Sequence, residues 1–223
     1  MNTPKPLQAM CSFVVVCLAG LVPAPAASGP LWLALGAAMA APQASSQQTA
    51  ESSSHAAPGN PVVVLETSKG IIKIELFPEA APKTVENFLH YVDSGFYNDT
   101  IFHRAMRGFV VQGGGFTPEL EEKPTLPPVP IETSNGIQND RGTVAMARTR
   151  DRNSATSQFF VNLSDNEQLN RKAHSFGYTV FGRVIEGMEI VDRISNVQTS
   201  RRGNMDDIPI LPVFLNSARR QQP

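Results

Sequence analysis

Apolar and polar positions alternate cleanly just past residue 60. Val62-Val63-Val64-Leu65-Glu66-Thr67 is rich in β-branched residues, and Ser68-Lys69-Gly70 is a turn signal. Ile71-Ile72-Lys73-Ile74-Glu75-Leu76-Phe77 then alternates with period two. That is the pattern of a half-buried strand, so the two runs predict a hairpin. The period then changes. Pro82 can open a helix, because its missing N–H is an orphan at that position anyway. Val85, Phe88, Leu89 and Val92 follow at helical spacing, and Gly95 ends the segment. One apolar stripe means that this helix covers something.

Shorter strand-like runs follow at Ile101–Ala105, Phe109–Gln112, Thr143–Ala147, Gln158–Leu163, Tyr178–Ile185 and Pro212–Ser217. A second short helix, Gly187–Ile194, carries Met188, Val191 and Ile194 on one side. Eight strand candidates and two helices in roughly 160 residues predict a mainly β domain: a closed eight-stranded antiparallel barrel capped by two helices. An open sandwich has the same strand count. Between Phe116 and Arg141 runs a long loop with five prolines, at 118, 124, 127, 128 and 130. Loops of that length are usually functional or firmly tied down.

The first 60 residues follow other rules. Met10 to Val22 is a short apolar run after Lys5, and small residues and prolines follow it. A second apolar run, Leu31 to Ala41, contains Ala38-Met39-Ala40, which fits a small-residue cleavage site. Each run is shorter than the roughly 20 residues of a membrane span. Residues 1–40 therefore read as an export leader, cleaved near residues 26–27 or after residue 40; an uncleaved anchor is the other reading. Residues 41–60 are Ser, Gln, Ala and Pro without periodicity, as in a flexible linker. The folded domain is expected over 61–219, with 220–223 as a tail.

The formal net charge of −1 gives no support for a nucleic-acid surface or an anionic-membrane partner. Both cysteines, Cys11 and Cys17, lie in the leader. The domain thus has no disulfide framework, thiolate nucleophile or cysteine metal site. His55, His90, His103 and His174 lack metal-ligand spacing. Gly113-Gly114-Gly115 lacks the Lys-Ser/Thr of a phosphate loop and fits a close backbone approach instead. Asn98 and Asn162 stand in sequons, and Arg201-Arg202 reads as solvated charge. No metal or cofactor is expected.

One candidate for chemistry remains. Arg104 sits in an apolar, strand-like segment, and a guanidinium keeps its charge at any ordinary pH. If Phe102–Gln112 forms two antiparallel strands turning near Gly108, Arg104 faces Gln112, and Val110 lies on the same face. The Gln112 side-chain oxygen could then accept from the guanidinium and orient it. Ser157-Gln158-Phe159-Phe160 adds an amide and two aromatics. A fixed cation beside aromatics suits an apolar ring carrying a carbonyl. The bland alternative is a structural arginine in an ion pair.

Four blocks carry a resemblance: Phe102-His103-Arg104 through Gly108-Phe109-Val110-Val111-Gln112-Gly113-Gly114; Arg141-Gly142-Thr143-Val144-Ala145-Met146-Ala147-Arg148; Ser157-Gln158-Phe159-Phe160; and Tyr178-Thr179-Val180-Phe181-Gly182-Arg183-Val184. In this order they resemble the cyclophilin-type peptidyl-prolyl cis-trans isomerases, in the bacterial periplasmic branch. The resemblance implies that Arg104 contacts the prolyl amide, with Gln112 beside it. It makes Phe109, Val110, Phe160 and Leu169 the proline pocket and its edge, with Gln112 and Tyr178 on the rim. Ala147, Arg148 and Gln158 become the wall that binds the peptide backbone, and His103 faces away from catalysis. The implied partners are unfolded or flexible proline-containing polypeptides in the periplasm, met by a monomer without cofactor, nucleic acid or stable membrane span. The chain departs from many eukaryotic members at Gln168 (tryptophan there), Tyr178 (histidine) and Val110 (methionine), which implies weak cyclosporin binding at most. Two rival readings are a non-catalytic proline-peptide or chaperone module of the same fold and an envelope-tethered scaffold.

Overall fold

The computed structural model describes residues 59–222. The expected leader and nearly all of the expected linker lie outside the described residues. Strands β1 (Val62–Thr67) and β2 (Gly70–Leu76) form the anticipated hairpin, with Val62 opposite Glu75 and Thr67 opposite Gly70. Helix α1 (Pro82–Asp93) starts at the proline and buries Val85, Phe88, Leu89 and Val92. No side chain of its own caps its N-terminus. The Glu132 carboxylate, from the proline-rich loop, accepts from the Lys83 and Thr84 N–H groups at 3.2 and 2.8 Å. An anion on free helix N–H groups satisfies orphan donors and meets the helix dipole favourably. The long loop is thus tied down at α1, and again where Asn135 donates to the Val180 carbonyl at 2.9 Å.

The remaining elements are β3 (Thr100–Ile101), β4 (Arg104–Ala105), β5 (Val110–Gly113), β6 (Thr143–Met146), β7 (Phe159–Asn162), β8 (Val180–Glu186), α2 (Met188–Ser195), β9 (Thr199–Arg202), β10 (Met205–Pro209) and β11 (Phe214–Arg220). The main sheet is antiparallel, in the order β3-β11-β1-β2-β8-β6-β7-β5-β4. Its two ends, β3 and β4, are separated along the chain only by Phe102 and His103. Counted as one bent strand, they reduce nine ladder segments to the expected eight strands. This segment pairs with β11 at one end and β5 at the other. The curl therefore closes through the chain itself, with no ladder between β3 and β4, and the single run expected over 101–105 is split at the bend.

Two further differences have simple causes. The last strand runs to Arg220, past the expected end at Ser217, because Val63 and Val64 pair with Arg220 and Arg219. The hairpin β9–β10 has no clear apolar alternation; Arg201-Arg202 and Asp206-Asp207 hide it. It lies against β4.

Inside the curl, Ala105, Val111, Val161 and Val144 stand opposite one another on successive strands. The three valines are fully or almost fully buried in the main core. Phe88 of α1 meets Phe159 edge-on at 5.6 Å and Phe181 at 5.0 Å. Burying one such ring contributes about 1.5–3 kcal/mol. Ile190, Val191 and Ile194 of α2 join the same core.

Gly187 caps α2 with φ of +90°, and a Cβ there would collide with the Ile71 carbonyl oxygen and lie 2.9 Å from the Ile72 Cα. Positive φ and backbone overlap each cost about 1–3 kcal/mol. Gly187→Ala is expected to lower unfolding free energy by about 2–4 kcal/mol, read as a shifted urea midpoint; an unchanged midpoint would contradict this packing.

Candidate active site

The register β4–β5 pairs Arg104 with Gln112, as the turn at Gly108 predicts. The row continues: Gln112 stands opposite Phe160, Phe160 opposite Ala145, and Ala145 opposite Val180. Residues directly opposite share a face. Arg104, Gln112, Phe160, Ala145 and Val180 therefore form one row on the outside of the curl, one position off the inner valine row. Around it gathers a second apolar cluster, separate from the core: Val110, Ala145, Ala147, Phe160, Leu169 and Val180, edged by half-buried Phe109 and Tyr178. Six of the anticipated site residues meet here: Phe109, Val110, Phe160 and Leu169 of the expected pocket, Tyr178 of its rim and Ala147 of the expected peptide wall.

Polar groups frame this patch. Gln112 does not reach the guanidinium as anticipated; its Nε2 donates to Gln158 Oε1 at 2.9 Å. Gln158 in turn donates to Glu122 at 3.3 Å. The Gln158 side chain needs Gly115: a Cβ there would overlap its Cγ and lie 2.8 Å from its Cδ. This is the close approach expected of the triple glycine. Arg148 donates twice to the Gly177 carbonyl, at 3.0 and 2.8 Å, and stacks on Tyr178 at 4.7 Å. Its guanidinium is thus spent on holding Tyr178, so the anticipated peptide wall would have to use the backbone here. Tyr178 meets Phe160 edge-on at 5.5 Å. Gln168 is exposed and adds no ring to the pocket.

Arg104 differs from these groups. Its side chain is 25% exposed, and its one charged neighbour among the described residues is Asp207 of β10, at 3.9 Å. That is beyond hydrogen-bond distance. By contrast, Arg141, Arg183 and Arg220 each hold a carboxylate at 2.8 Å or less. His103 is buried, its Nδ1 has no hydrogen-bond partner among the described residues, and its ring lies 4.6 Å from that of Phe116. Burial, assisted by the Arg104 charge, pushes its pKa down to about 3, so the imidazole is neutral near pH 7. It lines a cavity that Arg104 also borders and that contains no residue of the apolar patch.

A further set of residues escaped the sequence reading. Asn139, Asn162, Asn166 and Asn170 are all buried. Asn166 Nδ2 donates to the Phe109 carbonyl at 3.0 Å and to Asn162 Oδ1 at 2.8 Å. Asn139 donates to the Leu169 carbonyl at 3.2 Å and to Asn170 Oδ1 at 3.0 Å. This amide network pins the backbone at both Phe109 and Leu169, two residues of the apolar patch. The sequence signal is the spacing of asparagines at 162, 166 and 170, of which Asn162 by itself reads as a sequon. Fully buried, it offers no site for a glycan.

Residues 62–218 match the family described as "Cyclophilin type peptidyl-prolyl cis-trans isomerase/CLD". The chain belongs to this family. It is 50% identical over 171 residues to peptidyl-prolyl cis-trans isomerase A of Dickeya dadantii, spanning 77% of this chain and 90% of that protein. It is 48% identical over 159 residues to peptidyl-prolyl cis-trans isomerase B of Escherichia coli, spanning 70% and 97%. A crystal structure of a cyclophilin-type isomerase from Cryptosporidium parvum superposes with a TM-score of 0.62 at 28% identity, covering 74% of this chain and 99% of that one. The enzyme is a peptidyl-prolyl cis-trans isomerase of cyclophilin type.

His103 ties this cyclophilin's stability to pH. The unfolded chain takes up a proton on this residue near pH 6.5, whereas the folded protein does so only near 3. Stability from the neutral imidazole is complete above pH 6.5 and is lost as pH falls toward 3, by up to about 1.4 kcal/mol per unit. Between about pH 7 and pH 5, wild type is expected to lose about 2 kcal/mol more than His103→Phe in parallel urea titrations. Equal losses would contradict a buried neutral His103.

Proposed function

We propose that the chain accelerates X–Pro isomerisation in exported, unfolded or flexible polypeptides, and that Arg104 stabilises the twisted amide while the outer apolar patch holds the prolyl ring. One observation carries this reading. Among the described residues, Arg104 is a part-buried cation beside an apolar pocket with no hydrogen-bond acceptor of its own. A guanidinium held that way has donors free for a substrate.

The chemistry needs little more. Twisting an amide costs about 18–20 kcal/mol because resonance is lost. Uncatalysed X–Pro exchange takes on the order of tens to hundreds of seconds. Bringing it into an ordinary turnover range takes roughly 5–7 kcal/mol. As the C–N bond twists, the nitrogen leaves conjugation and gains a lone pair. An N–H donor aimed at that lone pair binds the twisted state better than the planar one, and this difference is what accelerates the reaction. The apolar patch excludes water and so strengthens the same interaction. No covalent intermediate is needed.

The substrate class and location rest on the leader-like N-terminus and on the family. We place the enzyme in the periplasm, acting as a monomer. The exposed amide of Gln168 offers no aromatic surface, which supports weak cyclosporin binding at most. A solved relative, the Cryptosporidium parvum isomerase, was crystallised in the presence of the dipeptide Ala-Pro.

Arg104→Ala is expected to keep the wild-type urea midpoint and to lose on the order of a hundredfold or more in kcat/KM, the usual effect of removing one transition-state donor. Proline-limited refolding of a test protein checks this. A full-speed Arg104→Ala enzyme contradicts the mechanism and favours a binding module of the same fold.

A further inference from the structure

A second recess opens at the other end of the outer row. β4 is the terminal strand there, and the hairpin β9–β10 lies against it. Between them is a cavity of about 220 Å³, walled by His103, Arg104, Phe116, Glu122, Met205 and Asp206 among others. None of the residues of the apolar patch lines it, whereas Arg104 and Gln112 of the outer row do. Arg104 thus stands on the boundary between the two. The volume is room for about seven waters or one long side chain.

Its chemistry is selective. Glu122 has no cationic partner among the described residues; its Oε1 accepts only from the Gln158 amide at 3.3 Å. Asp206 pairs with Arg201 at 3.4 Å, but both side chains are largely exposed, and such a pair is weak. Asp207 lies 3.9 Å from Arg104 and offsets its charge. Phe116 and Met205 give apolar wall for a methylene stem. His103, 5% exposed, has a ring nitrogen that the protein itself leaves without a partner. Because the ring is neutral, it adds no charge that would oppose a cation.

We propose that this cavity is a specificity subsite for the side chain of a lysine or arginine flanking the proline of the substrate. The proposal rests on the isomerase reading above and adds a preference to it. An acidic flanking residue would meet Glu122 and Asp206 and be disfavoured, which is how discrimination arises without changing the reacting groups.

The test uses peptides with Ala, Lys or Glu immediately before or immediately after the proline. kcat/KM is measured by cis/trans exchange on the full domain. Wild type is expected to favour Lys over Ala about fivefold at one of the two positions, the scale of a part-exposed ion pair. Glu should fall below Ala, and the preference should shrink as salt is added. In the double variant Glu122→Gln, Asp206→Asn, the Lys/Ala ratio should fall to about one, each variant's alanine rate being its own reference. Equal rates on all three peptides in wild type, or a ratio that survives in the double variant, overturns the proposal. If wild type does not turn over even the alanine peptide, the isomerase reading falls instead. The subsite is then judged by binding, read from the His103 imidazole resonances: about fivefold tighter Lys peptide supports it, and equal affinity overturns it.

Discussion

The site depends on the register between β4 and β5. Arg104 stands opposite Gln112 and Ala105 opposite Val111. A slip of one residue would exchange the two faces. The guanidinium would then point into the core beside Val111 and Val161, where an unpaired charge is prohibitive. Val111 would move outward and leave a void inside. The burial of the inner row thus fixes which side chains form the outer row. The bend at Phe102 and His103 lets one short segment serve both sheet edges, so Arg104 lies where the curl closes.

Onto that row the chain adds two kinds of support. Amide side chains do the positioning: the asparagine network holds the Phe109 and Leu169 backbones, and Gln158 holds Gln112. Arg148 is used in the same way, clamped to the Gly177 carbonyl with Tyr178 beneath it. Arg104 is left without such a clamp. A cation free to donate, placed between an apolar patch and an acid-lined cavity, is poor for stability and well suited to a reacting amide. His103 beside it adds a second cost, because it stays neutral only through burial.

The parts legible in the sequence were those set by local periodicity. The β1–β2 hairpin, α1 from Pro82 and the Arg104–Gln112 pairing follow from alternation, helical spacing and the turn at Gly108. The pocket residues required the family resemblance, because Phe160 and Leu169 look like ordinary core residues on their own. Three features were not legible. The hairpin β9–β10 is dominated by charges and shows no period. The capping of α1 by Glu132 spans 48 residues along the chain and carries no local signal. The Gln112 amide was expected to meet the Arg104 guanidinium, and only the pairing of β7 with β5 brings Gln158 close enough to accept from its N–H group.

The central claim is that a prolyl ring sits in the outer apolar patch while its amide twists beside Arg104. Exchange NMR on an Ala-Pro peptide with a catalytic amount of the protein tests both halves in one experiment. The account predicts cis–trans cross-peaks at mixing times where the free peptide gives none, together with intermolecular contacts from the prolyl ring protons to Val110, Phe160 and Leu169. Ring contacts to other residues, or an exchange spectrum identical to that of the free peptide, would contradict it.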